Sequence, residues 1–296
     1  MTAPPDAVVL PDGRRLALRH YGAPPGPGVP VVVYNHGGLS CGLDAAPAHA
    51  AALAAGVHLL APDRPGVGGS GRAPGRSLLD WPRDVAALLD ALDVPSAAAA
   101  GWSLGGDYVL ALGRGLPDRI TAVAVIAGGL PLDVPGREAG LSPMDRRLLR
   151  LSHRRPAAAR AAFRAIAAAS RATAPLAGSG RPWLFRSTWG EADAAVMAGP
   201  AGRFYADAVG AAVADPEGMI DEYRVFGAPW GYDPAEITVP VRIWQGDADR
   251  FVPAAWADEL AADIPGSAVV RCPGEGHLLA VEHWPEILAW LRAPGA

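Results

Sequence analysis

Ser103 stands in AGWSLGGD, between Gly101 and Gly105, where an apolar run gives way to a helical pattern. A serine hydroxyl is a weak nucleophile near neutral pH, and it needs a base to take its proton and a partner to orient that base. The chain offers both in similar settings. His277 lies in PGEGHLL and Asp249 in QGDADRFVP, each just past a predicted strand and just before a predicted helix. The glycines beside Ser103 have a physical reason. A sharp strand-to-helix turn forces its central residue into strained backbone geometry, and neighbours without side chains let the turn close against adjacent backbone. The plainer reading of GWSLGG is a glycine-rich helix start with Ser103 as its N-cap.

These residues have to be positioned by a regular frame. Ala7 to Leu10 and Arg14 to Tyr21, joined by Pro11-Asp12-Gly13, read as a β-hairpin. Val29 to Asn35 is rich in β-branched residues without alternation, the pattern of a strand covered on both faces. Alternation follows: a helical segment near 43–55, a strand at 57–61, a helix near 78–92, a strand ending at Gly101, a helix over 104–115 and a strand at 120–127. The strand before Ser103 is the least obvious, because Ala97 to Ala100 has poor β propensity. From Asp133 for about a hundred residues the pattern is helical and aromatic without a convincing strand. It resumes with strands at 239–245 and 268–272 and helices at 254–263 and up to about Leu291. Strands alternating with helices predict an α/β fold: a mostly parallel central sheet with helices on both faces, an N-terminal antiparallel hairpin and an inserted helical region. In such a sheet ligands bind beyond the carboxyl ends of the strands, where His36-Gly37-Gly38, Asp63, Ser103, Asp249 and His277 all fall.

Composition narrows the function classes. The chain has 296 residues, 50% of them hydrophobic and 19% charged, with a net charge of -4. That suits a folded domain and makes nucleic acid a poor partner. Cys41 and Cys272 are too few for a disulfide framework and sit in no CxxC pair. The N-terminal stretch lacks a basic segment followed by a long apolar one, and no run reaches the roughly 18 apolar residues of a membrane span, so a cytoplasmic, membrane-free protein acting on a small molecule is expected. His20, His49, His58, His153 and His283 have no metal-ligand spacing; neither metal nor cofactor is expected. Gly66 to Gly71 fits GxGxxG after a strand, but Arg72-Ala73-Pro74-Gly75 continues as loop rather than helix, which argues against a dinucleotide site.

With HGG at 36–38, DRPGVGGS at 63–70, GWSLGG at 101–106, GDADRFVP at 246–253 and GEGH at 274–277, the chain resembles the α/β-hydrolase fold family, in its form with a helical cap. The order Ser103, Asp249, His277 matches that family. The resemblance implies a core of residues 1–131 and 237–296 and a cap over 132–236. It makes Ser103 the nucleophile, His277 the base and then acid, and Asp249 the residue that fixes the imidazole. It places the oxyanion on the N–H groups of Gly38 and Leu104, with Leu39 as fallback donor. Asp249 fits the family spacing G-x-x-D-x-x-V-P better than Asp247, which suits a turn, and Asp133 ranks third. His36 becomes a brace for the oxyanion loop. Trp102, Leu39, Trp183 and Trp230 are candidate substrate contacts, and Phe185, Trp189, Phe204, Tyr205 and Tyr232 of the cap could line the same apolar pocket, although most cap aromatics pack the cap's own core.

The implied activity is cofactor-independent hydrolysis of a small to medium, largely apolar ester or lactone. C–C bond hydrolysis, amide hydrolysis, biosynthetic acyl transfer or a lyase reaction would use the same triad. HGGLS in place of HGGPG counts against a proline-releasing aminopeptidase, and Ser103 counts against the aspartate-nucleophile dehalogenases and epoxide hydrolases. A ligand-sensing module with an intact triad is the non-enzymatic alternative.

Overall fold

The computed structural model describes residues 6–293. One eight-stranded sheet contains β1 (Ala7–Val9), β2 (Arg15–Gly22), β3 (Val31–Asn35), β4 (His58–Pro62), β5 (Ala97–Trp102), β6 (Ile120–Ile126), β7 (Val241–Gly246) and β8 (Ala268–Cys272). Their spatial order is β1-β2-β4-β3-β5-β6-β7-β8. The β1–β2 and β2–β4 pairings are antiparallel and the other five are parallel. The helices are α1 (His49–Ala55), α2 (Trp81–Ala91), α3 (Gly105–Gly115), then α4 (Pro143–Arg154), α5 (Pro156–Thr173), α6 (Arg186–Ala198), α7 (Pro200–Ala212) and α8 (Pro216–Phe226), and finally α9 (Trp256–Asp263) and α10 (Ala280–Arg292). Helices α4 to α8 all lie between β6 and β7, so the sheet is interrupted by a helical insert.

The alanine-rich strand forms because of where it lies. β5 sits between β3 and β6 with all six residues buried. Ala97 and Ala99 join the apolar cluster on one face, while Ala98 and Ala100 join the cluster on the other. Neighbouring β-branched strands supply the ladder on both sides, so tertiary context outweighs weak propensity. The predicted 43–55 helix divides into a 3-10 segment, Gly42–Ala48, and α1. In the insert, α4, α5, α7 and α8 each start with proline, whose fixed φ and missing N–H suit the first helical position. Within α6, Gly190 at φ 85° breaks the helix.

One close glycine contact docks the insert on the frame. A Cβ on Gly218 of α8 would lie 1.7 Å from the Gly66 carbonyl oxygen, so the insert approaches the 63–71 loop backbone to backbone. That loop wraps Asp63, whose carboxylate accepts from the N–H of Gly42 (2.8 Å) and of Gly69 (3.0 Å) and from Arg19 (2.6 Å). The GxGxxG stretch therefore forms a turn around a buried carboxylate and opens no helix.

Candidate active site

Ser103 lies at the β5–α3 junction with φ 55°, left-handed geometry that a non-glycine residue adopts at a cost. Its neighbours have no room for side chains. A Cβ on Gly101 would stand 2.1 Å from the Gly105 carbonyl oxygen, and one on Gly105 would stand 2.1 Å from that of Asn35. The Ser103 N–H donates to Ile126 O at 2.8 Å, which pins the turn to β6. The helix behind it starts at Gly105, and the positive end of its dipole favours negative charge at the turn.

A cavity of about 240 Å³ opens over this turn, and its lining includes Ser103, Leu104, Gly38, Leu39, Trp102 and His277. The His277 Nδ1 and Asp249 Oδ2 are 2.8 Å apart and both side chains are buried. Asp249 also accepts from the N–H groups of Phe251 (2.7 Å) and Val252 (3.0 Å). Burial opposes charge on the imidazole, but the Asp249 carboxylate, with smaller contributions from Asp193 and Asp145, outweighs it and holds His277 above the usual histidine range. Reciprocally, burial pushes the Asp249 carboxyl up while His277 and the two amides pull it further down, leaving it below the usual carboxylate range. Asp247 instead accepts from the Gly274 N–H at 2.6 Å, a turn contact. Asp133 is exposed.

The loop facing Ser103 is braced from two sides. Arg64, fully buried, donates to the carbonyls of His36 and Gly37, the latter at 3.0 Å, and its backbone N–H donates to His36 Nε2 at 3.2 Å. His36 Nδ1 therefore carries the proton, toward Gly37 O at 2.9 Å. Burial and the Arg64 charge keep His36 well below its ordinary pKa, so it is neutral. On the other side, Asp44 accepts from Gly37 N–H (3.1 Å) and Ser40 Oγ (2.7 Å), and burial pushes its carboxyl up to about 7. Arg64 also pairs with Glu222 of α8 at 2.6 Å; Glu222 accepts in addition from Arg76 and from Tyr108 Oη at 3.1 Å. A Cβ on Gly38 would be 3.7 Å from that of Leu104, so the two backbones lie side by side at the cavity.

Of the predicted substrate contacts, Trp102 and Leu39 line the cavity and Trp183 and Trp230 do not. Trp183 is 63% exposed, whereas Trp230 is buried, stacked on Tyr232 with 5.8 Å between centroids. Trp102 both packs and lines: its indole N–H donates to the His277 carbonyl at 2.8 Å and its ring lies against Gly37. The insert instead contributes Tyr205, Tyr223, Phe226 and Asp145, and the 249–256 segment adds Phe251 and Trp256. Tyr223 donates to Asp145 at 2.8 Å, which adds a polar pair to the largely apolar lining beside Ser103 and His277. Tyr205 and Trp189 are two of the cap aromatics expected at such a pocket; sequence spacing carried no signal for Tyr223, Phe226 or Asp145, which reach the cavity through the packing of the insert. Among the described residues there is no group of three or more His, Cys, Asp or Glu placed to hold a metal.

Comparison with known proteins bears on the fold and the family. Epoxide hydrolase A of Mycobacterium tuberculosis is 34% identical over 131 residues, 43% of this chain and 39% of that protein, so the match spans well under two thirds of that relative's length. The fold is similar to that of the enol-lactonase from Burkholderia xenovorans LB400 (TM-score 0.69, 20% identity, 96% of each chain covered). It is equally similar to that of the esterase RhEst1 from Rhodococcus sp. ECU1013 (TM-score 0.69, 20% identity, 99% of this chain and 100% of that one). Residues 30–283 match the alpha/beta hydrolase fold family, and the chain belongs to it.

Proposed function

We propose that the protein is a serine hydrolase that cleaves a small to medium, largely apolar carboxylic ester or lactone through an acyl-enzyme. One observation carries this reading: Ser103, held at φ 55° on a tight turn, shares an apolar cavity with a His277 that is already hydrogen-bonded to Asp249. Ser103 Oγ attacks the substrate carbonyl as His277 Nε2 takes its proton. Asp249 keeps the Nδ1 proton in place and stabilises the imidazolium. His277 then protonates the leaving alkoxide and activates a water for deacylation. The tetrahedral oxyanion is received by the N–H groups of Gly38 and Leu104. Loss of one such donor costs on the order of 3 kcal/mol of transition-state stabilisation, which gives the bracing of loop 36–40 by Arg64 and Asp44 a catalytic purpose. The 132–236 segment acts as a cap that closes the apolar cavity.

The cavity volume favours substrates of modest size, and the lactonase and esterase names among similar structures are consistent with that class. A serine on the elbow counts against epoxide opening through a carboxylate nucleophile. The test is a panel of p-nitrophenyl acetate, butyrate and octanoate, γ- and δ-lactones, a β-diketone and a proline amide, with Ser103→Ala alongside. Esters or lactones should turn over fastest, and Ser103→Ala should lose at least about 10³-fold. Turnover surviving in Ser103→Ala, or faster cleavage of the β-diketone or amide, would rule the reading out.

A further inference from the structure

His277 is held by more than its triad partner. The backbone N–H groups of His277 and Leu278 both point at α6 of the insert, where the Asp193 carboxylate accepts one on each oxygen: His277 N to Oδ2 and Leu278 N to Oδ1, both at 2.8 Å. Asp193 is 1% exposed. The preceding residue has to be glycine for this to happen, because a Cβ on Gly276 would lie 2.4 Å from the carboxylate carbon and from both its oxygens. The same helix reaches the loop that carries Asp249. The Cβ position of Gly190 is 2.9 Å from Arg250 Nε, and the Trp189 ring lies 5.0 Å from that of Phe251, itself 5.0 Å from the His277 imidazole. One kinked helix of the insert thus touches both loops that deliver the base and its partner.

From this geometry we infer that Asp193 is a positioning residue: it fixes the His277 backbone so that the imidazole meets Asp249 and Ser103 together, and so makes the triad's assembly depend on the insert being seated. This rests on the reading of His277 as the base. The carboxylate also adds negative charge near the imidazole. The acidic groups facing His277 are Asp249 from the β7 loop, Asp193 from α6 and, farther off, Asp145 from α4, and all favour the charged imidazolium. Arg250 sits beside the same loop. Burial raises the Asp193 carboxyl above its ordinary range, and the two N–H bonds offset part of that.

Asp193→Asn keeps the shape but sets an amide NH2 against one of the two backbone donors and removes the charge. With the best ester from the panel, kcat should fall about 10- to 100-fold, the effect expected of a displacement near 1 Å, while KM stays within about twofold. The acid limb of kcat/KM should move to lower pH. Gly276→Ala keeps the charge but displaces the carboxylate, so kcat should fall with little movement of the limb. A lower melting temperature in Asp193→Asn with unchanged kcat and an unchanged acid limb would show that the residue only braces the fold, and would overturn the proposal. NMR titration of the His277 imidazole in wild type and Asp193→Asn reads the same coupling without turnover: a lowered pKa supports it and an unmoved one refutes it. This readout separates the role of Asp193 from failure of the esterase reading, which Ser103→Ala tests.

Discussion

Gly105→Ala probes how tightly the nucleophile turn is built. The added Cβ would lie 2.1 Å from Asn35 O, 2.8 Å from Asn35 C and 2.8 Å from His36 O, all backbone atoms of β3 and the loop beyond it. Cβ contacts under 3.0 Å are essentially never seen, so the start of α3 and the end of β3 must part by roughly 1 Å. The Ser103 amide is tied to β6, so the strain falls on the spacing between Ser103 and the Gly38 loop. A displacement of that size at a reacting centre costs about 10²-fold in rate, and overpacking costs about 1–3 kcal/mol of stability. The assay is p-nitrophenyl ester hydrolysis with urea unfolding, beside Gly210→Ala as control. Gly210 is also helical, but its new Cβ would meet only Ser170 Oγ at an ordinary 3.6 Å, so that variant should keep its activity and gain up to about 1 kcal/mol from helix propensity. If Gly105→Ala matched Gly210→Ala in rate and stability, the close approach of α3 to β3 would have no functional weight.

Two further outcomes follow from buried charges. Glu222→Gln leaves Arg64 and Arg76 without their buried counter-charge, so unfolding free energy should fall by about 3–5 kcal/mol and ester hydrolysis should weaken because Arg64 also holds the His36 and Gly37 carbonyls; urea titration and kcat check both, and a variant as stable and active as wild type would refute the bracing role. Asp107 on α3 has its carboxyl pushed up to about 8 by burial. Between about pH 4 and 8 the folded chain keeps a proton that the unfolded chain releases, so this group lowers stability as pH rises through that window. Asp107→Asn removes that slope. Its stability relative to wild type should therefore grow from pH 5 to pH 8, and an equal difference at both pH values would contradict the assignment. Asp44 titrates in both proteins and drops out of the comparison.

The legible parts of this chain were local. The elbow at Ser103, the strands before Asp249 and His277 and the turn role of Asp247 depend on residues a few positions apart, and short-range sterics fix them. β5 was harder to read: alanine alone does not specify a strand, and only burial between β3 and β6 makes one. The rest depends on contacts between distant segments. Arg64 meets Glu222 across 158 residues and His277 meets Asp193 across 84. Asp193 looks like an ordinary acid in EADAAVM until α6 is folded down. The same holds for the insert's aromatics: Trp183 faces solvent and Trp230 packs with Tyr232, whereas Tyr205 and Tyr223 reach the cavity. The expected ends of the core at residues 1–5 and 294–296 lie outside the described residues.

The central claim is that Ser103 becomes a nucleophile because His277 takes its proton. Treatment with a fluorophosphonate, followed by intact-mass and peptide analysis, tests it directly in wild type, Ser103→Ala and His277→Ala. The account predicts one label per chain on the Ser103 peptide, none in Ser103→Ala and labelling slowed by at least about 10³-fold in His277→Ala. A label on another residue, or equally fast labelling of Ser103 without the imidazole, would contradict it.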